Sequence, residues 1–163
     1  MNAPKLDAQL INPFIESAMN VFQTAVNLKP VRTGLHLKDP ASCSLGDISA
    51  ILGFAGDLVG NLVLSFPEAV AKDVVSRMIG EMPDWDSPFL REGVAEIANM
   101  IVGNAKARFS SQQECRFKFS LPSLITGKRH YVAHPSRMPV VTVEFNLESV
   151  GPFALEICGR KSE

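Results

Sequence analysis

GDISAILGFAGDLVGNLVLSF, residues 46 to 66, holds two apolar runs of strand length divided by Gly56-Asp57. Ile, Leu, Val and Phe suit the pleated, half-buried surface of a sheet, and a Gly-Asp pair supplies the tight reversal between adjacent antiparallel strands. The stretch predicts a hairpin over roughly 46 to 54 and 58 to 66. Hairpins build antiparallel sheets, and a sheet with an apolar face needs a covering layer. The flanking sequence supplies it.

Upstream, NPFIESAMNVFQTAV sets Asn12 where a cap belongs and Pro13 at the first helical position, with Phe14, Ala18, Val21, Phe22 and Ala25 at helical spacing. Downstream, Pro67 opens PEAVAKDVVSRMIG, in which Ala69, Val70, Val74, Val75 and Met78 repeat helically and Gly80 marks the stop. Ser87 as cap and Pro88 as first residue then begin a third, long helix reaching to about Phe109. After it, ECRFKFS alternates, with Cys115, Phe117 and Phe119 on one face and Arg116, Lys118 and Ser120 on the other. Pro122 to Pro139, holding Gly127-Lys128-Arg129-His130 and His134-Pro135-Ser136-Arg137, reads as a solvated loop of local positive charge. Two further strands, PVVTVEF and PFALEIC, are joined through Ser149 to Pro152. The expected fold is α+β, an antiparallel sheet covered by helices with one long central helix, forming a single domain over 1–163.

Composition narrows the function. With 163 residues and 46% hydrophobic content the chain can bury a core unaided. A net charge of −1 argues against a broad electrostatic hold on nucleic acid or anionic lipid. Cys43, Cys115 and Cys158 are odd in number and widely spaced, as expected of free thiols in a reducing cytoplasm. In MNAPKLDAQLINPF, Asp7 and Pro13 interrupt any apolar run, so neither a signal peptide nor a spanning helix is expected there. His130 and His134 lie four apart, but Gly127 and Pro135 oppose a helix and no third ligand stands nearby, so no metal site is expected. Neither a Gly-x-Ser-x-Gly nucleophile nor a phosphate-binding glycine loop is present.

What remains is the long helix. At about 100° per residue, Glu92, Glu96, Asn99, Gly103 and Lys106 fall within an arc of roughly 80°. Leu90, Val94, Ile97, Ala98, Ile101, Val102, Ala105 and Phe109 fill the opposite arc, the core side. Glu96 and Asn99 lie about 4.5 Å apart along the axis, close enough to reach one bound object. Gly103 costs a helix about 1 kcal/mol relative to Ala, and one use for that cost is close approach of another surface. A polar face alone signifies little, because any amphipathic helix has one.

The wider pattern carries more. Glu96, Asn99 and then Pro122 after a gap of twenty-two residues, with Asn99-Met-Ile-Val-Gly-Asn-Ala-Lys106 and the opening Ile11-Asn-Pro-Phe-Ile-Glu16, resemble the CheC/CheX family of bacterial chemotaxis phosphatases, most closely its single-site CheX branch. The family pattern begins with Asp or Ser, where this chain has Glu92, an acid one methylene longer. The CheC branch repeats the motif on the first helix, but Glu16 and Asn20 are here four apart and diverge, so one site per chain is expected.

The resemblance implies hydrolysis of the aspartyl phosphate of a CheY-type response regulator in chemotaxis or a related two-component pathway. It assigns catalysis to Glu96 and Asn99, with Asn99 orienting water and Glu96 pairing with the receiver's lysine, and leaves Glu92, Gly103 and Lys106 as partner-binding candidates. It implies Mg²⁺ supplied by the receiver rather than by this chain, and a homodimer joined at a sheet edge, for which the strands after residue 113 offer a candidate. The alternative is a noncatalytic domain that binds a regulator or mediates dimerisation; the retained Glu96 and Asn99 favour the enzyme.

Overall fold

The computed structural model describes residues 7–39, 46–134 and 138–163. Their order is α1 (Ala8–Val26), β1 (Pro30–Leu37), β2 (Ile48–Gly56), β3 (Leu58–Phe66), α2 (Glu68–Ile79), α3 (Pro88–Gln113), β4 (Phe117–Phe119), β5 (Ser123–Thr126), β6 (Val140–Leu147) and β7 (Gly151–Lys161). The strands form one seven-stranded sheet in the order β1-β6-β7-β3-β2-β4, with β5 also paired to β2. Every pairing is antiparallel. The α+β class is therefore as the sequence implied.

The hairpin that opened the reading is β2 and β3, in register from Ile48 opposite Phe66 to Phe54 opposite Gly60. Leu52, Phe54, Leu62, Leu64 and Phe66 point to the helical side and join the core with Phe14 and Phe22 of α1, Val74 of α2 and Phe109 of α3. Aromatic contacts link the layers: Phe14 stacks on Phe54 at 5.6 Å, and Phe22 stacks on Phe153 of β7 at 4.4 Å. Where α2 crosses α3, Gly93 is buried; a Cβ there would stand 2.7 Å from both Val75 methyls. Every apolar position expected to face the core on α3 does so, and all eight are buried.

Several local expectations are corrected. Helix α1 starts four residues before Asn12, capped by the Asp7 side chain accepting from the Gln9 N–H at 3.0 Å, and Pro13 lies inside it. Proline there has no N–H for the Gln9 carbonyl one turn back. Gln113 at the end of α3 supplies the missing donor, its Nε2 reaching the Gln9 oxygen at 2.8 Å. Pro67 flanks α2 instead of opening it, and Asp47 Oδ2 accepts from the Glu68 N–H at 2.8 Å. Helix α3 begins at Ser87 and Pro88 as read but continues past Phe109 to Gln113. Strand β1 had no sequence signal: it is an edge strand, broken in register between Arg32 and Gly34, and it alternates poorly.

The stretch read as a solvated loop is partly ordered against the sheet. Residues 123–126 form β5, and the following turn folds across the face opposite the helices. There Ser49 Oγ lies 2.6 Å from both Ser65 Oγ and His130 Nε2. His134 places Nε2 2.7 Å from Glu156 Oε2 and Nδ1 2.9 Å from Asn61 Oδ1. Lys38 Nζ meets Glu156 Oε1 at 2.7 Å and the Val132 carbonyl at 3.0 Å. The Lys38, Glu156 and His134 side chains are each at most 6% exposed. Burial alone would raise the Glu156 carboxyl, but hydrogen bonds from His134 and Lys38, with the attraction of their charges, hold it below its ordinary value. Arg137 and Pro135 of the expected basic loop, and Cys43, lie outside the described residues. Among the described residues no helix is long and apolar enough to cross a membrane.

Candidate active site

The polar stripe on α3 is borne by a helix fixed along its length. Ser87 Oγ accepts from the Phe89 N–H at 3.2 Å and sets the first turn. Gly93 locks against α2, and Gln113 ties the last turn to α1. The rotation of the helix about its axis is thereby determined by core packing.

On its outer side Glu92 and Glu96 are exposed and Asn99 is half-buried. Among the described residues, no side-chain hydrogen bond or ion pair engages any of the three. A carboxylate and an amide one turn apart are thus presented outward. Gly103 and Lys106 are placed differently. A Cβ on Gly103 would lie 3.8 Å from the Phe119 ring, an ordinary contact, and the Lys106 amine stands 5.8 Å from the centroid of the same ring. Phe119 of β4 therefore occupies much of the space that Gly103 leaves. No sequence signal singled it out beyond its place in the ECRFKFS alternation.

Strands β4 and β5 bring Pro122 into the same region. Phe117 packs on Phe109 at 5.7 Å and Phe119 lies beside Gly103, so the chain runs back along α3 toward its N-terminus. Pro122 lies between Phe119, whose ring borders Gly103, and β5. β5 continues in contact with α3.

Glu16 Oε2 accepts from Arg108 Nη1 at 2.8 Å, and Arg108 also reaches Asn104. The carboxylate is already committed to joining α1 and α3. Burial raises the thiol pKa of both Cys115 and Cys158, with the Asp57 carboxylate adding to the shift at Cys115, so neither is a ready nucleophile. Among the described residues no cluster of three or more His, Cys, Asp or Glu stands ready to hold a metal ion.

The sequence signature of the family described as Chemotaxis phosphatase CheX matches residues 48–146, more than half of the chain and all of α3. The chain belongs to the CheX family. Its activity is that of a chemotaxis phosphatase, removal of the aspartyl phosphate of a response regulator. The CheX of Vibrio vulnificus is similar, with 28% identity and a TM-score of 0.85 over 94% of this chain and 100% of that one. The CheX of Desulfovibrio desulfuricans matches at 28% identity and a TM-score of 0.84, covering 93% of this chain and 99% of the other. A CheX from Borrelia burgdorferi, crystallised with CheY, beryllofluoride and Mg²⁺, shares the fold at a TM-score of 0.73 and 23% identity, covering 96% and 100% of the two chains. No curated protein matches the chain by sequence.

Proposed function

We propose that Asn99 and Glu96 are the residues through which this CheX-family chain hydrolyses the aspartyl phosphate of a CheY-type receiver. The observation that carries this reading is their outward presentation, side by side and, among the described residues, without side-chain partners, on a helix held at both ends. Phosphoryl transfer needs little covalent help: the transition state is loose, and catalysis comes from positioning the nucleophile and stabilising charge. The receiver would supply the acyl phosphate, the lysine and the Mg²⁺, whose charge would stabilise the transferring group; the Borrelia complex holds CheY together with beryllofluoride and Mg²⁺. The amide of Asn99 then needs only to enter beside the phosphoryl group and hold a water in line. Being neutral, it orients the water without removing its proton. Glu96 accepts the receiver's lysine and sets the depth of insertion.

The test is phosphate release from phosphorylated receivers in Mg²⁺ buffer, comparing wild type with variants of the pair. Glu96→Ala is expected to raise KM about tenfold and to lower kcat by a smaller factor, from loss of one charge-assisted contact. The wild-type rate should fall as salt rises, and the variant's rate should depend less on it. Equal kinetics for the two proteins at low salt would remove Glu96 from the site.

The same reading includes action in the cytoplasm, where receivers reside, and a homodimer. The edge strand β1 supports the latter: it is eight residues long and, among the described residues, pairs only with β6. Leu35 and Leu37 remain 39% and 49% exposed on it. The opposite edge is broken into the short β4 and β5. Joining at β1 leaves both copies of α3 accessible. Leu35→Arg with Leu37→Arg is expected to halve the mass measured by light scattering while leaving turnover per chain intact; an unchanged mass would exclude this edge.

A further inference from the structure

Two large apolar side chains stand in the open around the polar site. Phe89 is 55% exposed and Leu121 is 87% exposed. Single exposed apolar residues are ordinary and need no explanation. Their placement separates these two from the others. Phe89 precedes Glu96 by seven residues, two helical turns, so it projects from the same side of α3 within about 20° of the Glu96 direction and about 10.5 Å toward the N-terminus. Leu121 directly precedes Pro122, between Phe119, whose ring borders Gly103, and β5, which contacts α3. One apolar group therefore stands beyond the glutamate and the other on the segment that runs beside α3.

Both are displayed by rigid backbone. The Ser87 cap fixes the turn that carries Phe89. Leu121 is held on one side by the Ser120 N–H donating to the Gly53 carbonyl at 2.8 Å and by the Gly53 N–H donating to Ser120 Oγ at 3.0 Å. On its other side Ser123 is in register with Ile51. Neither stretch of backbone has to be ordered on binding, which removes an entropic penalty that flexible loops carry.

We infer that Phe89 and Leu121 are the apolar anchors of receiver docking, gripping the surface on either side of the phosphorylation pocket while Glu96 and Asn99 enter it. This rests on the site assignment above. The occupant follows from continuity: the Asn99 amide reaches a phosphoryl group only if the receiver covers this face of α3. A standard interface buries about 800 Å² per partner, a disc of roughly 16 Å radius. Phe89, ten residues from Asn99, lies about 15 Å away along the axis, inside that disc. An exposed ion pair at Glu96 holds a partner only weakly, because water and salt compete for both charges. Desolvated aromatic and aliphatic groups supply what such a pair lacks. The partner surface is accordingly phosphorylated at its centre, with a lysine beside the phosphate for Glu96, and apolar at two points around it.

Because both residues are exposed, Phe89→Ser and Leu121→Ser should fold as wild type does, which circular dichroism and melting verify. Each is expected to raise the Kd for a CheY-type receiver loaded with beryllofluoride and Mg²⁺ about tenfold, to raise KM to the same extent, and to leave kcat within twofold. Tyr131→Ser, 48% exposed in the segment on the face opposite the helices, serves as the control and should change neither. Unchanged Kd and KM in both variants would overturn the inference, as would a loss confined to kcat. Failure of the underlying site assignment has a different signature: Asn99→Ala turning over normally while the two serine variants still bind the beryllofluoride-loaded receiver weakly.

Discussion

Asn99→Ala is expected to lower kcat for receiver dephosphorylation by about two to three orders of magnitude, the loss typical of removing one preorganised polar group from a transition state. Binding of a receiver loaded with beryllofluoride and Mg²⁺ should stay within a few-fold of wild type. The asymmetry follows from the role assigned to the amide. It is half-buried on the surface of α3 and so has little area to offer a partner. What it supplies is alignment of one water, an interaction present at the transition state and weak before it. Asn99→Asp distinguishes orientation from proton removal. A carboxylate is a stronger base than an amide, but it brings a negative charge toward a phosphoryl group. If the group acted as a general base, the variant would keep or gain activity; with a water-orienting amide it should be as inactive as the alanine variant. Single-turnover rates at saturating enzyme read the chemical step without the binding step and are the measurement to use.

The second large effect concerns stability on the opposite face. Glu156→Ala leaves the Lys38 ammonium and the His134 ring buried together without the carboxylate that joins them. Breaking a buried ion pair from one side costs about 3–5 kcal/mol, so the melting temperature of a chain this size should fall by roughly 10 °C or more. Replacing the pair together, with Lys38→Met and Glu156→Leu, should recover most of that loss, since apolar groups of similar volume commonly serve as well. Neither change should alter kcat below the melting transition, because the cluster and the stripe on α3 lie on opposite sides of the sheet. The sign of the pH dependence follows from the lowered Glu156 pKa. A carboxyl depressed below its ordinary value of 4.5 contributes stability that is fully present above that value and is lost as pH falls through the lower native value. On acid titration the gap in melting temperature between wild type and Glu156→Ala should narrow below about pH 4.5 as this increment is lost. A parallel decline in both proteins would show that the cluster does not hold the carboxylate in its charged form.

The parts of this molecule that could be read in advance are those set by local periodicity and capping. Ser87, Pro88 and the apolar arc from Leu90 to Phe109 define α3 and its outer face without reference to anything distant, and the Gly56-Asp57 division marks the hairpin. The misreadings occur where a distant residue settles the matter. Pro13 looks like the start of a helix, yet the amide of Gln113 lets α1 continue through it. β1 and β5 are edge strands with one neighbour each, so neither shows clean alternation. His130 and His134 resembled solvated loop residues because their partners, Ser49, Asn61 and Glu156, are contributed by three other strands. At the site, the Glu96 and Asn99 spacing was legible and the Phe119 ring over Gly103 was not, since only the pairing of β4 with β2 puts it there.

Gly93 meeting Val75 with no room for a methyl, together with the Gln113 clasp twenty residues on, leaves α3 no freedom to slide or roll. Its prongs are set before any partner arrives, and a displacement of about 1 Å is enough to spoil a reaction that depends on alignment. The lifetime of the signal is then written into how a receiver settles against a stationary tool. This protein contributes the shape of the lock pick, and the timing belongs to the lock.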